Sequence, residues 1–233
     1  MRMTALSIIV PTLDEAAGIV GHLAALQPLR RRGAELLIAD GGSGDATVAL
    51  AASHVDAVVM APRGRARQMN AGAAQAHGDV LLFLHADTRL PDGADALAQR
   101  VLPAGAPAWG RFDVAIAGRH PLLPIVAWSM NWRSRLTGIA TGDQALFVRR
   151  DVFDAVGGFP DIALMEDIAL SRRLKRRGRP LCLRARVITS GRRWESRGVL
   201  RVVLLMWRLR LAYFLGADPA RLALRYDASR ARD

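Results

Sequence analysis

Four short, unbroken apolar runs in the first half of the chain limit the folds that it can adopt. They are residues 7–10, 36–39, 58–60 and 80–84. Runs of this kind are typical of strands that are buried on both faces of a parallel sheet. Each is followed by polar residues or glycine and then by a helix-like stretch, near residues 15–26, 45–53, 65–76 and 93–101. We therefore predict a repeated β-α unit with right-handed crossovers.

The second half of the sequence is less regular. It predicts a strand at 109–116, an apolar segment with tryptophans at 121–136, a strand at 144–149 and a helix at about 167–177. Acidic residues at the start of that helix and basic residues at its end are favourable to the helix dipole. The whole pattern predicts an α/β fold with a mostly parallel central sheet flanked by helices, followed by a C-terminal amphipathic helix.

The composition indicates a folded domain with an anionic partner. Hydrophobic residues make up 51% of the chain and charged residues 23%, which is enough apolar material for a core. The net charge of +12 comes almost wholly from arginine, whose guanidinium suits phosphates. A GC-rich genome would explain arginine in place of lysine, but not the excess of base over acid. Cys182 is the only cysteine and residues 1–10 lack a signal-peptide pattern, so we expect a cytoplasmic protein without disulfides.

Acidic turns follow the first two predicted strands. Residues 11–15 read Pro-Thr-Leu-Asp-Glu, and residues 40–45 read Asp-Gly-Gly-Ser-Gly-Asp. Because ligands of such sheets bind beyond the carboxyl ends of the strands, these carboxylates suit hydrogen bonds to a base or a ribose. The alternative is that Asp14 and Asp45 only cap helices. The G-x-G-x-x-G turn of dinucleotide-binding enzymes is absent after the first strand, which disfavours a dehydrogenase.

Charged residues also follow the next two predicted strands. Residues 63–72 place arginines, an asparagine and glycines at a helix start, where backbone N–H and guanidinium groups can bind a diphosphate. A solvated basic helix face is the alternative. The fourth strand ends in His85-Ala86-Asp87-Thr88, and a carboxylate there can hold a hard cation against phosphate oxygens. Taken alone, such an aspartate is more often a turn residue.

Eight segments of the chain, in this order and spacing, carry a resemblance to a known family. They are IIVPTLDEA, ADGGSGDAT, GRARQMNAGA, LFLHADT, TGDQALFVRR, GGFP, LMEDIALSRRL and SGRRWESRG. The series resembles glycosyltransferase family two, whose members have the GT-A nucleotide-sugar fold. Within that family it looks like a compact bacterial subgroup, and the resemblance spans Ser7 to about Leu215.

The resemblance implies how a nucleotide-sugar donor is bound. The residues implied for the donor nucleoside and its acidic turn are Pro11, Thr12, Asp14, Glu15 and Asp40. Arg67 and Asn70 would approach the donor phosphates. Asp87 would bind Mg²⁺ or Mn²⁺ as the acid of the family's D-x-D element. His85 stands where the family often has the first aspartate, and its imidazole can supply a further ligand or a hydrogen bond.

The resemblance also implies the catalytic acids. Asp167 matches the family's catalytic base, and Glu166 lies beside it. Inversion at an anomeric carbon needs a base within hydrogen-bond reach of the acceptor hydroxyl, and a neighbouring negative charge raises the proton affinity of a carboxylate. The alternative is that the two acids only favour the N-terminus of a helix.

The implied acceptor side comes from two further motifs. Asp143 and Gln144 would form part of it. Residues 192–194, Arg-Arg-Trp, resemble the end of the family's Q-x-x-R-W motif, with Arg193 steadying the departing diphosphate and Trp194 on the acceptor side. The leading glutamine is missing, which argues against a processive polysaccharide synthase.

Trp128 and Trp132 lie in the apolar segment close to the implied acceptor side. Aromatic side chains there can stack on a sugar ring or on an isoprenoid chain. They can equally belong to the core. The sequence leaves both interpretations open.

An apolar stretch from Val199 to Leu215 bears on membrane contact. As a helix it would span roughly 25 Å, short of a hydrocarbon core of about 30 Å. Three arginines, Arg201, Arg208 and Arg210, interrupt it. We therefore expect an interfacial amphipathic helix and peripheral attachment to a membrane. A terminal helix packed on the core is the alternative.

These expectations describe one domain with a tail. Residues 1–196 would form the GT-A domain, with a nucleotide-binding half at 1–105 and an acceptor half at 106–196, and residues 197–233 a helical tail. The expected reaction is an inverting, metal-dependent transfer of a hexose from a UDP sugar to an acceptor hydroxyl, with lipids among the candidate acceptors, at the cytoplasmic face of the inner membrane. The rival hypotheses are a sugar-phosphate nucleotidyltransferase and a basic nucleic-acid-binding protein, and the acid-lined turns oppose the latter.

Overall fold

A computed structural model describes residues 6–103 and 106–230. Strands and helices alternate in the first half of the chain and follow a less regular order in the second. In chain order the elements are β1 (Leu6–Thr12), α1 (Ile19–Arg31), β2 (Glu35–Asp40), α2 (Thr47–Ala51), β3 (Ala57–Met60), α3 (Arg65–Gln75), β4 (Val80–Phe83), β5 (Thr88–Arg89), α4 (Ala94–Ala98), β6 (Trp109–Ala117), α5 (Leu123–Thr137), β7 (Phe147–Arg149), α6 (Arg150–Ala155), α7 (Glu166–Lys175), β8 (Leu181–Ser190), α8 (Arg192–Arg197), α9 (Val199–Phe214) and α10 (Pro219–Arg230).

The strands form one sheet in the order β3-β2-β1-β4-β7-β6-β8-β5. The first four in that order are parallel, β6 is parallel to β8, and β7 and β5 run antiparallel to their neighbours. Thr12 at the end of β1 lies beside Asp40 at the end of β2. The turns that follow β1, β2 and β4 therefore share one edge of the sheet. The predicted α/β fold with a mostly parallel central sheet is confirmed.

The central strands are buried on both faces, as their unbroken apolar sequences predict. Alternate residues of a strand point to opposite faces of the sheet. On one face, Ile8 and Val10 of β1 pack in a cluster that includes Leu23 of α1. On the other face, Ile9 belongs to a cluster that includes Met69 of α3. Helices therefore cover both sides of the sheet and leave its carboxyl edge open for a site.

Two strands fall outside the predicted set, the long β8 and the short β5. Arg184 and Arg186 of β8 are exposed whereas Leu183 and Val187 are buried, and the pairing of β8 with β6 contains a register shift. Because basic residues interrupt the apolar residues of β8, the sequence contains no apolar run that would predict this strand. The strand predicted at 144–149 is confirmed only from the start of β7, because a one-turn 3-10 helix precedes it.

Helix α9 packs on the core along one side and exposes apolar residues along the other. Val199, Val202 and Leu209 are buried. The exposed apolar residues of the helix are Leu200, Leu204, Trp207, Leu211 and Phe214. Within residues 6–103 and 106–230, no helix is long and apolar enough to cross a bilayer. Attachment of α9 to a membrane surface stays a prediction.

The packing of α3 on β1 depends on Gly72. A Cβ atom added at Gly72 would lie 2.5 Å from Cγ2 of Ile9 and 3.5 Å from Cβ of Ala39. Overpacking of a core costs about 1–3 kcal/mol. We expect Gly72→Ala to lower the free energy of unfolding by about that amount, measured by urea unfolding followed by circular dichroism.

Gly21 on α1 supplies the matched control, because an added Cβ there meets no heavy atom within 4 Å. Alanine is favoured over glycine inside a helix by about 0.5–1 kcal/mol, so Gly21→Ala should stabilise the protein. Equal effects of the two substitutions would contradict the close approach of α3 to β1.

Candidate active site

A cavity of about 130 Å³ opens at the carboxyl edge of the sheet. We call it the charged cavity. The start of α3, the loop after β4, the turn before β7, the start of α7 and the three C-terminal helices all contribute to its lining. Its charged or ionisable residues are Arg65, His85, Asp87, Asp143, Glu166, Asp167, Arg193, Arg210 and Tyr226.

Asp87 lies on the loop that leaves β4 at this edge. The N–H of Leu84 donates to the carbonyl of Ile9 on β1 (3.0 Å), and the N–H of Thr88 closes a turn onto the carbonyl of His85 (3.0 Å). The side chain of Asp87 is exposed and lines the charged cavity. It therefore offers a carboxylate to a cation at this position.

His85 joins the β4 loop to the turn before β7. Its Nδ1 lies 3.4 Å from Oδ1 of Asp143. Its Nε2 packs so closely on Gly142 that a Cβ atom on the glycine would overlap it. Because both ring nitrogens of His85 face protein groups, this residue positions the turn, and the exposed carboxylate of Asp87 is the group of the loop that is open to a ligand.

Asp143 is ionised at neutral pH. Desolvation raises the pKa of this carboxyl group, but the hydrogen bond and the charge of His85, followed by the charges of Arg193 and Arg65, outweigh it and lower the pKa to about 2. The cavity therefore keeps a negative charge beside its arginines at any physiological pH.

The start of α7 brings two further carboxylates into the cavity. Met165, which precedes the helix, has a φ of +71°, an uncommon conformation for a residue with a side chain. Oδ2 of Asp167 accepts a hydrogen bond from the backbone N–H of Gly142 (2.9 Å). Glu166 is buried, and its pKa is raised, first by burial and then by the charge of Asp167. The hydrogen bond fixes Asp167 relative to the turn before β7.

Two arginines face these acids. Arg65 is the first residue of α3, and although desolvation lowers its pKa, the charge of Glu166 and of other acids outweighs this and raises the pKa above its usual value. Arg193 of α8 donates from Nη1 to the hydroxyl of Tyr226 and lies 5.1 Å from the centroid of its ring. The cavity therefore presents both positive and negative groups to a ligand.

Several of the predicted site residues line the charged cavity. They are His85, Asp87, Asp143, Glu166, Asp167, Arg193 and Trp194. Gln144 is buried outside the lining, where its Oε1 accepts a hydrogen bond from the N–H of Thr141 (3.2 Å) in a capping box. Sequence reasoning missed Arg65, Arg210 and Tyr226. The last two reach the cavity only because α9 and α10 pack against it.

The structure does not bring Arg67 and Asn70 to the charged cavity. Nε of Arg67 donates to Oδ1 of the exposed Asp161 (2.8 Å), and the amide of Asn70 bonds both backbone groups of Phe159 (2.8 and 2.9 Å). Side chains two residues apart on a helix do not face the same way. Arg65 therefore faces the cavity in place of Arg67, while Arg67 and Asn70 lie outside its lining.

The turn after β2 is organised by Asp40. This side chain is buried and accepts hydrogen bonds from the N–H groups of Gly42 (2.9 Å) and Ser43 (2.8 Å) and from the hydroxyl of Thr12 (3.1 Å). Burial raises the pKa of Asp40, but the hydrogen bonds outweigh it and hold the pKa below its usual value. Asp40 thus fixes the shape of the turn beside the half-buried Pro11.

The turns after β1 and β2 also hold each other. Asp14 accepts a hydrogen bond from the N–H of Gly44 (2.8 Å), and Asp45 accepts one from the N–H of Ala16 (3.0 Å). Both aspartates therefore join the two turns, whereas the N-caps of α1 and α2 are Gly18 and Ala46, without a side-chain hydrogen bond. Glu15 is half-buried between these turns and the cavity, and its pKa is raised, chiefly by burial.

Comparison of the sequence with models of protein families shows to which family the chain belongs. The sequence model described as Glycosyl transferase family 2 matches residues 7–156, which is more than half of the chain. The chain belongs to glycosyl transferase family 2. The matched region holds Asp87 and Asp143 and ends before Glu166 and Asp167. No curated protein matches the sequence.

Solved structures of glycosyltransferases share the fold. A mannosyltransferase from Pyrobaculum calidifontis, in complex with GDP-Man and Mn²⁺, has a TM-score of 0.61 and 22% identity, and the match covers 89% of this chain and 60% of that one. Glucosyl-3-phosphoglycerate synthase from Mycobacterium tuberculosis, in complex with Mn²⁺, UDP and glucosyl-3-phosphoglycerate, has a TM-score of 0.59 and 17% identity, with 80% and 71% covered. Mannosyl-3-phosphoglycerate synthase from Rubrobacter xylanophilus has a TM-score of 0.57 and 18% identity, and the match covers 92% of this chain and 76% of that one. At these identities the likeness shows the GT-A fold alone.

The raised pKa of Glu166 predicts a measurable effect on stability. Because the folded pKa lies above the unfolded one, ionised Glu166 destabilises the fold once the pH exceeds the folded pKa. We expect Glu166→Gln to raise the thermal unfolding midpoint at pH 7.5, and the difference from the parent chain to shrink as the pH falls towards about 4.5.

Asp161→Asn is the control, because Asp161 is exposed and pairs only with Arg67 at the surface among the described residues. It should change the midpoint little at either pH. A lower midpoint for Glu166→Gln at neutral pH would show that its ionised form stabilises the fold.

Proposed function

We propose that this protein transfers a hexose from a UDP sugar to an acceptor hydroxyl with inversion at the anomeric carbon. The observation that carries the proposal is the convergence of Arg65, Asp87, Asp167 and Arg193 in one small cavity, although they come from distant parts of the chain. A diphosphate needs cations and a transferred sugar needs a base. The charged cavity holds groups for both.

Asp87 is the residue proposed to hold Mg²⁺ or Mn²⁺. Among the described residues, no three His, Cys, Asp or Glu side chains are grouped to bind a metal ion. Mg²⁺ is commonly bound through one or two carboxylates together with substrate phosphates, and the exposed carboxylate of Asp87 fits a site of that kind. The bound cation would neutralise charge on the departing diphosphate.

Asp167 is the proposed general base. The hydrogen bond from the N–H of Gly142 fixes one of its oxygens, and the side chain lines the charged cavity. In this role it accepts the proton of the acceptor hydroxyl while that oxygen attacks the anomeric carbon. Glu166, whose pKa is raised, adds negative charge beside Asp167 only when it is ionised.

Arg65 and Arg193 are proposed to bind the diphosphate. Guanidinium groups make paired hydrogen bonds to phosphate oxygens and stay charged at neutral pH. The nucleoside would then lie along the turns after β1 and β2, whose residues are Pro11, Thr12, Asp14, Glu15 and Asp40. Because Asp40 bonds its own turn and Asp14 bonds the neighbouring turn, we expect backbone groups and Glu15 to make most of the contacts there.

The proposed location is the cytoplasmic face of the inner membrane. Support comes from the exposed apolar residues of α9, among them Trp207 and Leu211, which are 66% and 61% exposed. An exposed apolar patch of this kind marks contact with another apolar surface. Cosedimentation of the full chain with vesicles tests this location.

The roles of Asp87 and Asp167 can be separated by experiment. We expect Asp87→Ala to weaken Mn²⁺-dependent binding of UDP by about tenfold or more in calorimetric titration. Asp167→Asn should leave that binding nearly unchanged but slow release of UDP from the preferred UDP sugar by about 10²–10⁴-fold. Unchanged turnover in both variants would refute the assignment, and release of pyrophosphate would indicate nucleotidyl transfer instead.

Arg65 and Arg67 form a matched pair for the phosphate site, since both lie in the first turn of α3. We expect Arg65→Gln to weaken UDP binding in the presence of Mn²⁺ by about tenfold, the value of one charge-assisted contact. Arg67→Gln should change it by less than about twofold. A larger loss for Arg67→Gln would contradict the orientation of α3.

A further inference from the structure

An apolar groove of about 420 Å³ lies between α5 and α9 and joins the charged cavity. Asp143, Arg193 and Arg210 line both spaces. A molecule in the groove can therefore extend one end into the cavity that holds Asp167. Of the residues that line the groove, only Arg193 has a proposed role in the donor binding described above.

Tryptophans form the outer walls of the groove. Trp128 and Trp132 of α5 are stacked, with ring centroids 6.4 Å apart and planes within 7°. They are 64% and 52% exposed, and Trp207 of α9 is 66% exposed. Leu136 also lines the groove and is 63% exposed. Large apolar side chains left in water around a concave surface indicate an apolar ligand.

Two arginines lie at the inner end of the groove. Nε and Nη2 of Arg133 and Nε of Arg210 are buried and have no hydrogen-bond partner among the residues that the structure describes. Burial, and then the charge of Arg210, lowers the pKa of Arg133 to about 10, so both groups stay protonated at neutral pH. The charges of the facing acids, Asp143 and Asp167, raise the pKa of both arginines and so oppose the effect of burial.

Neighbouring buried cations with unsatisfied donors are unfavourable without an anion. An unpaired buried charge or donor costs free energy that a bound anion would recover. The guanidinium groups of Arg133 and Arg210 together match the oxygens of a phosphate. The apolar walls exclude a purely polar ligand as the sole occupant, and the basic end distinguishes the groove from a neutral lipid site.

We propose that the groove binds the acceptor, and that the acceptor is an amphiphile with an apolar chain and a head that carries both a phosphate and the hydroxyl to be glycosylated. The head lies between Arg133 and Arg210, and the chain runs outward along Trp128, Trp132 and Trp207. This assignment rests on the proposed glycosyl transfer, because it names the substrate that the charged cavity would modify.

Decyl phosphate, kept below its micelle concentration, is the probe for this site. The full chain is titrated and the tryptophan fluorescence is recorded, with decanol and inorganic phosphate as partial ligands. We expect saturable binding of decyl phosphate that is at least about tenfold tighter than binding of either partial ligand. Equal binding of decanol would refute the phosphate site, and equal binding of inorganic phosphate would refute the apolar site.

Substitutions assign the two ends of the ligand. Arg133→Gln and Arg210→Gln should each weaken decyl phosphate binding by about tenfold and leave decanol binding nearly unchanged. Trp128→Ala should weaken both ligands. Arg208→Gln is the matched control, because Arg208 lies on α9, is exposed and does not line the groove. A loss in Arg208→Gln equal to that in Arg210→Gln would reduce the effect to general surface charge and overturn the proposal.

Two further measurements separate the possible failures. Binding of UDP with Mn²⁺ is measured on the same samples, so that loss of decyl phosphate binding alone refutes the groove, whereas failure to bind UDP refutes the proposed function. In the last measurement, the tryptophan fluorescence is recorded with vesicles of anionic phospholipid in place of decyl phosphate. A fluorescence change with vesicles but none with monomeric decyl phosphate would assign the tryptophans to a membrane surface and contradict the proposal.

Discussion

The turn at Gly142 joins the two halves of the site. Its backbone N–H binds Asp167 at the start of α7, and its Cα packs against the imidazole of His85 on the β4 loop. Asp143, the next residue, pairs with the same imidazole. A side chain at position 142 would separate these contacts. The β4 loop, which carries the proposed cation ligand Asp87, and the proposed base Asp167 are therefore held relative to each other by one backbone segment.

This turn is itself fixed by the sheet. β7, which follows it, pairs antiparallel with β4 and with β6, so it connects the parallel first half to the strands of the second. Acidic and basic residues from both halves of the chain line the cavity together. Arg65 and Arg193 favour the ionised form of Asp143, and the acids of the turn and of α7 favour the charged form of Arg65. Groups that are charged and oriented before a substrate arrives need little rearrangement when it binds.

Sequence reasoning succeeds where one physical requirement dominates. β1, β2 and β4 are buried on both faces, so their apolar runs predict them, and the parallel pairing brings the turns that follow to one edge. The same reasoning places Asp87 at that edge, because this residue follows a buried strand that ends there. The sequence does not predict β8, because exposed arginines such as Arg186 interrupt its apolar pattern.

Helix phase and tertiary packing account for the other differences. The sequence places several arginines near the start of α3 but does not fix which of them faces the sheet edge, and one side chain, Arg65, reaches the cavity. Arg210 and Tyr226 enter the site through the packing of α9 and α10, which no local pattern records. Trp128 and Trp132 could be core or ligand-binding residues until their exposure shows that they wall a groove.

The most direct test of the central claim is a crystal structure of the full chain with UDP and Mn²⁺, with the metal located by its anomalous scattering. The account predicts Mn²⁺ within about 2.2 Å of an oxygen of Asp87 and of the UDP phosphates, the coordination distance of a small hard cation, with Arg65 on the diphosphate and Asp167 facing the position of the sugar. A metal bound elsewhere, or UDP bound away from the charged cavity, would contradict it.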